Sequence, residues 1–184
     1  MITREEAIDL IEKWISNEKI KKHVIAVEAI MRGLARFFGE NEELWGLVGL
    51  LHDLDYDKTK NNMEMHAKIT AEVLKDKLPK EAIEAILSHT EYSGTKPSTK
   101  LAYSLIAADQ ISGLVIATAL VMPSKKLEEV KVKSVRKKFK QKDFARKVRR
   151  DKILEAIEHL GIDLNKLIEI SLESLKTIHD KLGI

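Results

Sequence analysis

Apolar residues recur along most of the chain at the three- and four-residue spacing of an α-helix. Alternation of apolar and polar residues never lasts long enough to predict a strand. The first helix has a capping-box signature, because Thr3 is followed three residues later by Glu6, and it is predicted to end near Ser16. A second helix is predicted over about residues 18–38, with Gly39 as its stop signal. This pattern predicts an all-α fold.

The rest of the chain divides into helices by the same signals. Asn41 caps a strongly apolar third helix, which is followed by a polar loop with the sequence DYDKTKNN. Pro79 is predicted to be the first residue of a helix that ends near His89. Further helices are predicted over about residues 63–77, 98–122, 151–160 and 163–181.

The segment over residues 98–122 is apolar enough to raise the question of a membrane span. Its uninterrupted apolar part, residues 111–122, has 12 residues, whereas a span needs about 20. We therefore predict a central core helix and no membrane partner. Asp109 lies within this helix, and a buried carboxylate is costly unless it is paired, so Asp109 is predicted to have a partner inside the protein.

Length and composition favour one compact protein. A chain of 184 residues with 44% hydrophobic content can fill one sizeable core. We expect residues 1–122 to form a helical domain, on which residues 123–184 pack as a basic segment and C-terminal helices. The absence of cysteine excludes disulfides and thiolate metal ligands. The first residues lack a basic stretch followed by an apolar run, so we expect a cytoplasmic protein.

Positive charge is concentrated in the basic segment, residues 125–152. This segment holds 14 Lys and Arg against 4 Asp and Glu, a net charge of +10, whereas the rest of the chain holds 18 against 25, a net charge of −7. The segment is either an ordinary solvated surface or a phosphate-facing lid or nucleic-acid patch. The spacing of its aromatic residues, Phe139 and Phe144, indicates core anchors of a short helix rather than base-stacking platforms.

The histidines fall into two classes. His159 and His179 lie in the last turns of the final predicted helices, where a cation meets the negative end of the helix dipole. The other four lie on or beside apolar helix faces, and singly each would be an ordinary core residue. Together with two otherwise unpaired carboxylates they indicate a metal site, because imidazole and carboxylate bind Fe, Mn, Zn and related ions. This set is His23, His52, Asp53, His66, His89 and Asp109.

The stretch GLLHDLDYDK places two members of this set at one helix end. An apolar run that begins at Leu44 leads directly into His52 and Asp53. Adjacent helical residues point about 100° apart, so these two side chains cannot share one face. At the end of a helix both can still reach an ion that lies across its tip.

The His...His-Asp...Asp arrangement in an all-helical chain resembles the HD superfamily of metal-dependent phosphohydrolases, and GLLHDLDYDK resembles its central motif. The histidines in MEMHAKITAEVL and AIEAILSHTEYSG resemble the fuller set of two-metal members, such as HD-type diadenosine tetraphosphate hydrolases and cyclic-dinucleotide phosphodiesterases. The region LVMPSKKLEEVKVKSVRKKFK is similar to that of a small group of uncharacterised HD hydrolases. The resemblance implies an HD-domain helical bundle with a C-terminal basic helical segment.

The resemblance also implies how the ligands are shared. One metal would be held by His23, His52, Asp53 and Asp109, and a second by His66, His89 and the same Asp53 as a bridge. The expected cofactor is a divalent metal, one or two ions per chain, from among Fe, Mn, Zn, Co and Mg. Such ions activate a water and neutralise charge on a phosphoryl group, which makes the bridging Asp53 a catalytic candidate.

Phosphoryl transfer depends on positive charge near the metals. Lys58, five residues after Asp53, is a candidate for catalysis and substrate binding, although an ordinary loop lysine fits its position equally well. If the basic segment forms a lid, its arginines are candidates for phosphate binding: Arg146, Arg149 and Arg150. Three acidic residues could orient ligands or move protons, but loop carboxylates are usually solvated or cap helices, so these rank below the ligands: Asp55, Asp57 and Glu91.

Two functions remain open at this point. The first is a phosphohydrolase or phosphodiesterase that acts on a nucleotide or another small phosphate ester through a metal-activated water. The second is a regulatory module without turnover, in which the metal is structural and the basic segment binds RNA or DNA. Ligands for a second metal favour the first function. The sequence leaves open the substrate, the native metal and the oligomeric state.

Overall fold

A computed structural model describes residues 1–184, and every regular element in it is helical, which confirms the predicted all-α fold. The α-helices are α1 (Arg4–Trp14), α2 (Glu18–Phe38), α3 (Glu42–Leu51), α4 (Tyr56–Thr59), α5 (Lys68–Leu74), α6 (Lys80–Ser88), α7 (Lys100–Leu120), α8 (Val132–Phe139), α9 (Arg150–Leu160), α10 (Leu164–Lys176) and α11 (His179–Leu182). Single 3₁₀ turns lie at Met63–Met65, Glu91–Ser93 and Leu127–Glu129.

The capping signals in the sequence mark the ends of the first three helices. The predicted capping box is present, since Thr3 Oγ1 accepts from Glu6 N at 3.1 Å and the Glu6 carboxylate accepts from Thr3 N at 3.2 Å. Gly39 ends α2 in the left-handed conformation, with φ of 69°. Asn41 Oδ1 accepts from the backbone N–H of Leu44 at the start of α3.

The prediction of one helix over residues 63–77 was wrong. A 3₁₀ turn is followed by a break at His66 and Ala67, and α5 begins only at Lys68. Ala67 has a left-handed φ of 69° and no side chain able to cap α5. Asp55, from the preceding loop, supplies the missing acceptor to Thr70 N at 2.9 Å. A long-range hydrogen bond therefore sets this helix start, and periodicity could not reveal it.

Smaller differences occur elsewhere. Pro79 precedes α6 as its N-cap instead of being its first residue, and the loop expected after α3 contains the single turn α4. The last predicted helix is divided at Thr177, whose hydroxyl donates to the carbonyl of Ser174. His179 therefore begins α11 and does not lie in the last turn of a long helix, as was predicted.

The long apolar helix α7 runs through the centre of the fold. It packs against α2, α3, α6, α8, α9 and α10. Its length and composition would suit a membrane span, but 67% of its most apolar window is buried inside the protein. The same hydrophobic cluster includes Leu127, Val130 and Val135, all fully buried, so the basic segment is anchored in the core that the other helices share. Phe139 and Phe144 pack against this core, as their spacing predicted.

Close packing of α3 on α2 brings the first site residues together. A Cβ added at Gly49 would lie 2.9 Å from the carbonyl oxygen of Val27 and 3.0 Å from Glu28 Cα, so only glycine allows this approach. As a result the C-terminal end of α3 lies directly beside α2. The imidazole rings of His23 and His52 are 5.3 Å apart between centroids.

Candidate metal centre

The six predicted ligands come from five separate parts of the fold and converge at one point. His23 lies within α2, His52 and Asp53 follow α3, His66 lies in the break before α5, His89 follows α6, and Asp109 lies in the middle of α7. Their donor atoms form two groups that share Asp53, and within each group all donor atoms lie within 4.8 Å of one another.

The first group, termed here group 1, contains His23, His52, Asp53 and Asp109. Asp109 Oδ1 lies 2.9 Å from His23 Nε2 and 3.4 Å from His52 Nε2. Asp53 Oδ2 lies 3.4 Å and 3.3 Å from the same two nitrogens. Two imidazoles and two carboxylates therefore face a common centre, and Asp109 has the internal partners that its position in a core helix required.

The second group, group 2, contains His66, His89 and the other oxygen of Asp53. Asp53 Oδ1 lies 3.2 Å from His66 Nε2 and 3.2 Å from His89 Nε2. Each carboxylate oxygen of Asp53 thus faces a different pair of histidines. This is the arrangement that a bridging carboxylate between two cations requires.

Hydrogen bonds at Nδ1 orient three of the four imidazoles. His52 Nδ1 lies 2.7 Å from the carbonyl oxygen of Gly49, and His89 Nδ1 lies 2.5 Å from that of Ile86. Because a carbonyl only accepts, Nδ1 must carry a proton in both rings. When such a ring is neutral, the lone pair on Nε2 is directed into the cluster, which is the tautomer that a metal ligand needs.

Asp55 performs the corresponding task for His66. Its fully buried carboxylate lies 2.8 Å from His66 Nδ1, and it also accepts from Thr70 N and from the Thr59 hydroxyl. An acidic residue in a polar loop gave only a weak signal in the sequence, so Asp55 was ranked below the ligands. The residues that contact the Asp55 carboxylate lie 4 to 15 positions further along the chain, and no sequence pattern connects them with Asp55.

The chemistry of the cluster fits divalent cations. His52 Nε2 is buried and has no hydrogen-bond partner in the protein, although it faces two carboxylates. Burial lowers the pKa of His23, but the carboxylates of Asp109 and Asp53 outweigh it and raise that pKa to about 9. Burial would raise the pKa of Asp53, yet the surrounding histidines hold it well below its usual range. A metal cation would supply the positive charge that protons otherwise provide here.

A wide cavity of about 760 Å³ opens from this cluster. Asp53, His66, His89 and Asp109 line its inner end. The outer walls come from the loop after α6, one face of α7 and the start of α9. Two tyrosines and three cations line these walls: Tyr92, Tyr103, Lys96, Arg149 and Lys152. Tyr56, from α4, also lines the cavity, and its ring centroid lies 5.9 Å from that of His66.

The part of the chain that carries the cluster matches a known protein family. The model of the HD domain matches residues 20–114, which include all six residues of the cluster. The chain belongs to the HD domain family. HD domain proteins are metal-dependent phosphohydrolases, and the His and Asp groups of this chain could hold a divalent metal.

About half of the chain also resembles part of a larger protein. The chain is 34% identical over 96 residues to Ribonuclease Y from Acholeplasma laidlawii (strain PG-8A). The match covers 52% of this chain and 18% of that protein, so the chain spans under a fifth of its relative. No solved structure matches the chain significantly. The likeness to diadenosine tetraphosphate hydrolases stays a prediction.

The four residues predicted to bind substrate do not lie together in the structure. Arg149 lines the cavity, whereas Arg146 is exposed and lies 3.4 Å from Asp143. Lys58 is outside the cavity lining, and its Nζ lies 4.3 Å from the centre of the Trp14 ring. The guanidinium of Arg150 donates to backbone carbonyls that hold the basic segment together: Lys138, Phe139, Gln141, Phe144, Ala145 and Val148. Substrate binding by these four residues stays a prediction.

Sequence reasoning missed several cavity residues. Lys152 belongs to the basic segment, but nothing distinguished it from its lysine neighbours. Tyr103 and Gln110 lie in α7, whose strong apolar character drew attention only to Asp109. His159, predicted to be purely structural, packs edge-on against Tyr103 with ring centroids 4.1 Å apart. His179 is therefore the better control for experiments on the cluster.

Proposed function

We propose that the protein hydrolyses a phosphate ester of a nucleotide, or of another small phosphorylated compound, at the inner end of the cavity. The observation that carries this proposal is the position of Asp53, whose two oxygens face two separate histidine pairs while the residue itself lines an open cavity. A purely structural metal site is normally closed by its ligands. This site leaves room for a substrate beside them.

The residues of the cluster would hold two ions, one in each group, with Asp53 between them. When bound, such ions supply an activated water and offset the charge that develops on a transferring phosphoryl group. The protein contributes orientation, because the Nδ1 hydrogen bonds of His52, His66 and His89 fix their rings before any ion binds. Preorganised ligands avoid a cost of rearrangement during the reaction.

The outer walls of the cavity support a nucleotide as the substrate. Lys96, Arg149 and Lys152 offer positive charge to phosphates, and the rings of Tyr92 and Tyr103 offer surfaces for a base. A cytoplasmic location, which we infer from the sequence, agrees with such a substrate. Oligomeric state does not enter the proposal.

RNA phosphodiester cleavage is a second candidate, because the relative with 34% identity is named a ribonuclease. Both reactions break a bond at phosphorus and need the same metal groups. The cavity favours the small substrate, since most of the positive charge in the basic segment lies outside it: only Arg149 and Lys152 line the cavity. A module without turnover is not favoured, because its metal site would need no open access.

A substrate screen tests the proposal. Phosphomonoesters, cyclic nucleotides, dinucleoside polyphosphates and short RNA would be incubated with the protein and Mn, Fe, Co, Zn or Mg. We expect metal-dependent hydrolysis of a small phosphate compound, inhibited by chelator and unaffected by His179→Ala. Salt-dependent binding of arbitrary nucleic acid, without hydrolysis of any phosphate compound under any metal, would contradict the proposal.

A further inference from the structure

The outer end of the cavity contains a group of ion pairs that the metal centre does not use. Lys152 Nζ lies 3.0 Å from Glu91 Oε1, and Arg149 Nη2 lies 3.8 Å from the same oxygen. Arg149 also pairs with Asp151 at 2.9 Å. The two cations come from the start of α9, whereas Glu91 comes from the loop that follows His89. The carboxylate of Glu91 on one wall of the cavity thus pairs with two cations on another wall.

The start of α9 is fixed in place relative to the metal centre. Gln110 follows Asp109 in α7, and its side-chain oxygen accepts from the backbone N–H of Arg149 at 2.9 Å. Its amide nitrogen lies 3.5 Å from Asp109 Oδ2. Val148 packs over Gly113, where an added Cβ would lie 3.4 Å from its side chain. The cations are therefore not on a free surface loop but are attached to the helix that carries Asp109.

Their position is unfavourable for the helix itself. The N-terminal end of an α-helix carries partial positive charge, so cationic side chains in its first turn are disfavoured. Arg149 is the N-cap of α9, and Lys152 lies in its first turn. Helix stability does not explain these residues at this end. An anion that binds between them would be favoured by both side chains and by the helix dipole.

We propose that Lys152, assisted by Arg149, forms a second anion-binding site, in which the carboxylate of Glu91 takes the place of an anionic group of the substrate. The substrate class is then a compound with at least two phosphate groups, of which one reacts at the metal centre and the other stays bound to Lys152. This inference rests on the proposed function, because it assigns the reacting phosphate to the metal centre. Simple phosphomonoesters become poor substrates.

The neighbouring charges define where the second phosphate binds. Glu155 lines the cavity one turn further along α9, and its carboxylate repels an anion. The site is therefore confined to the first turn of the helix. Glu91 is mostly exposed, with 66% of its side chain accessible, so a substrate can displace it without leaving a buried charge unpaired. An exposed ion pair of this kind adds little to stability, so replacing Glu91 by a substrate anion costs little free energy.

The test compares three variants of the Mn-loaded protein: Lys152→Met, Glu91→Gln and the control Lys147→Met. Lys147 is a nearby exposed cation that does not line the cavity. The probes resist hydrolysis because P–CH₂ links replace P–O bonds: the 5′-phosphonate analogue of AMP, α,β-methylene-ADP and the bis-methylene analogue of ATP, with Kd measured by calorimetry. We expect Lys152→Met to raise Kd for the two longer probes about tenfold, as for a lost charge-assisted hydrogen bond, with less effect on the AMP analogue.

The sign of the Glu91 effect is decisive. If Glu91 competes with the substrate, Glu91→Gln should lower Kd for the longer probes by about two- to fivefold, which is opposite to the effect of Lys152→Met. If the ion pair is only structural, both variants should change Kd in the same direction or leave it unchanged, and that result would overturn the proposal. Lys147→Met should match the wild type.

These Kd values do not depend on turnover, so the two proposals fail separately. Opposite signs without hydrolysis of any phosphate compound would support the second anion site and remove the proposed function. Hydrolysis of a phosphomonoester with unchanged KM in Lys152→Met, together with equal Kd for the AMP analogue and the longer probes, would support the proposed function and overturn the second anion site.

Discussion

The two halves of the metal centre are built from different kinds of structure. Group 1 takes His23, His52 and Asp109 from α2, α3 and α7, the long helices that form the core. Group 2 takes His66 from a break between short elements and His89 from the end of α6. Core packing fixes the first group, whereas a local network of hydrogen bonds around Asp55 fixes His66 in the second.

This difference predicts that the two ions are not equivalent. Ligands on packed helices keep their positions when a neighbour is lost, because the core resists small displacements. The orientation of His66 depends on one carboxylate, that of Asp55. His66 also directly precedes Ala67, a non-glycine residue with a left-handed φ of 69°. We therefore expect group 1 to bind its ion more tightly and group 2 to lose its ion first.

The largest effect is expected from Asp53→Ala, which removes a ligand from both groups. Metal content should fall from as many as two ions per chain to near zero, and hydrolysis should fall to background. Folding should suffer less, since the helices keep their hydrophobic contacts. Elemental analysis after anaerobic purification, with His179→Ala as the control, measures the metal. Two ions retained in Asp53→Ala would mean that this residue does not bridge.

His66→Ala should affect only group 2. About one ion per chain should remain, held by His23, His52, Asp53 and Asp109, and turnover should be lost if both ions are needed. The same metal analysis, paired with activity, measures the result, and His89→Ala should behave alike. Full metal content together with full activity in His66→Ala would reduce the centre to one ion and make His66 an ordinary buried residue.

Asp55→Asn separates the orienting carboxylate from the ligands themselves. Asparagine keeps the size but offers one acceptor oxygen, so His66 Nδ1 and Thr70 N cannot both keep their bonds to it. We expect affinity for the second ion to fall about 10- to 100-fold, with the first ion retained. Calorimetric titration with metal measures the affinities for the first and the second ion. Asp57→Asn is the matched control, since Asp57 accepts from Ser16 and does not touch a histidine.

The contrast also explains which features the sequence could predict. Helix starts at Thr3 and Asn41 were predicted because the capping residue and its partner lie three positions apart. The group 1 residues and His89 stand at positions that helical periodicity can place. Their use as metal ligands stays a prediction, but the structure brings all of them to one point.

The features that were missed depend on contacts between distant parts of the chain. Residues 63–77 have good helix formers such as Met, Glu and Ala, and the hydrogen bond that Thr70 N donates to the Asp55 carboxylate overrides this local preference. Lys152 meets Glu91 across 61 positions of sequence. Neither contact leaves a periodic signal, so only the folded structure could reveal them.

Gly49→Ala tests whether packing of α3 on α2 maintains group 1. The new methyl group would lie 2.9 Å from the carbonyl oxygen of Val27, which is backbone and cannot move aside. We expect a loss of about 1–3 kcal/mol in the free energy of unfolding and weaker binding of the group 1 ion. Urea denaturation measures the first quantity. Gly113→Ala is the control, because its methyl group would meet only the Val148 side chain at 3.4 Å.

The smallest and most specific effect concerns pH and the metal-free protein. In the folded state the pKa of His23 and that of His66 are each raised to about 9, because neighbouring carboxylates outweigh burial, against about 6.5 in the unfolded chain. A raised pKa stabilises the fold fully below pH 6.5, and this contribution is lost as the pH rises through 9. The free energy of unfolding of the metal-free protein should therefore decrease as the pH rises through this range.

Bound metal should reverse this trend, because a cation replaces the imidazole protons and its affinity rises with pH. Urea denaturation would be measured at pH 5.5, 7 and 9, with chelator or with Mn²⁺. The free energy of unfolding of the chelated protein should fall as the pH rises, and the difference between the metal-loaded and the chelated protein should grow. His23→Ala and His66→Ala should each remove part of the pH dependence, which apportions it between group 1 and group 2. His179→Ala should retain all of it. A flat profile for the chelated wild type would mean that the metal-free cluster does not hold its histidines protonated, and the charge balance inferred for both groups would then be wrong.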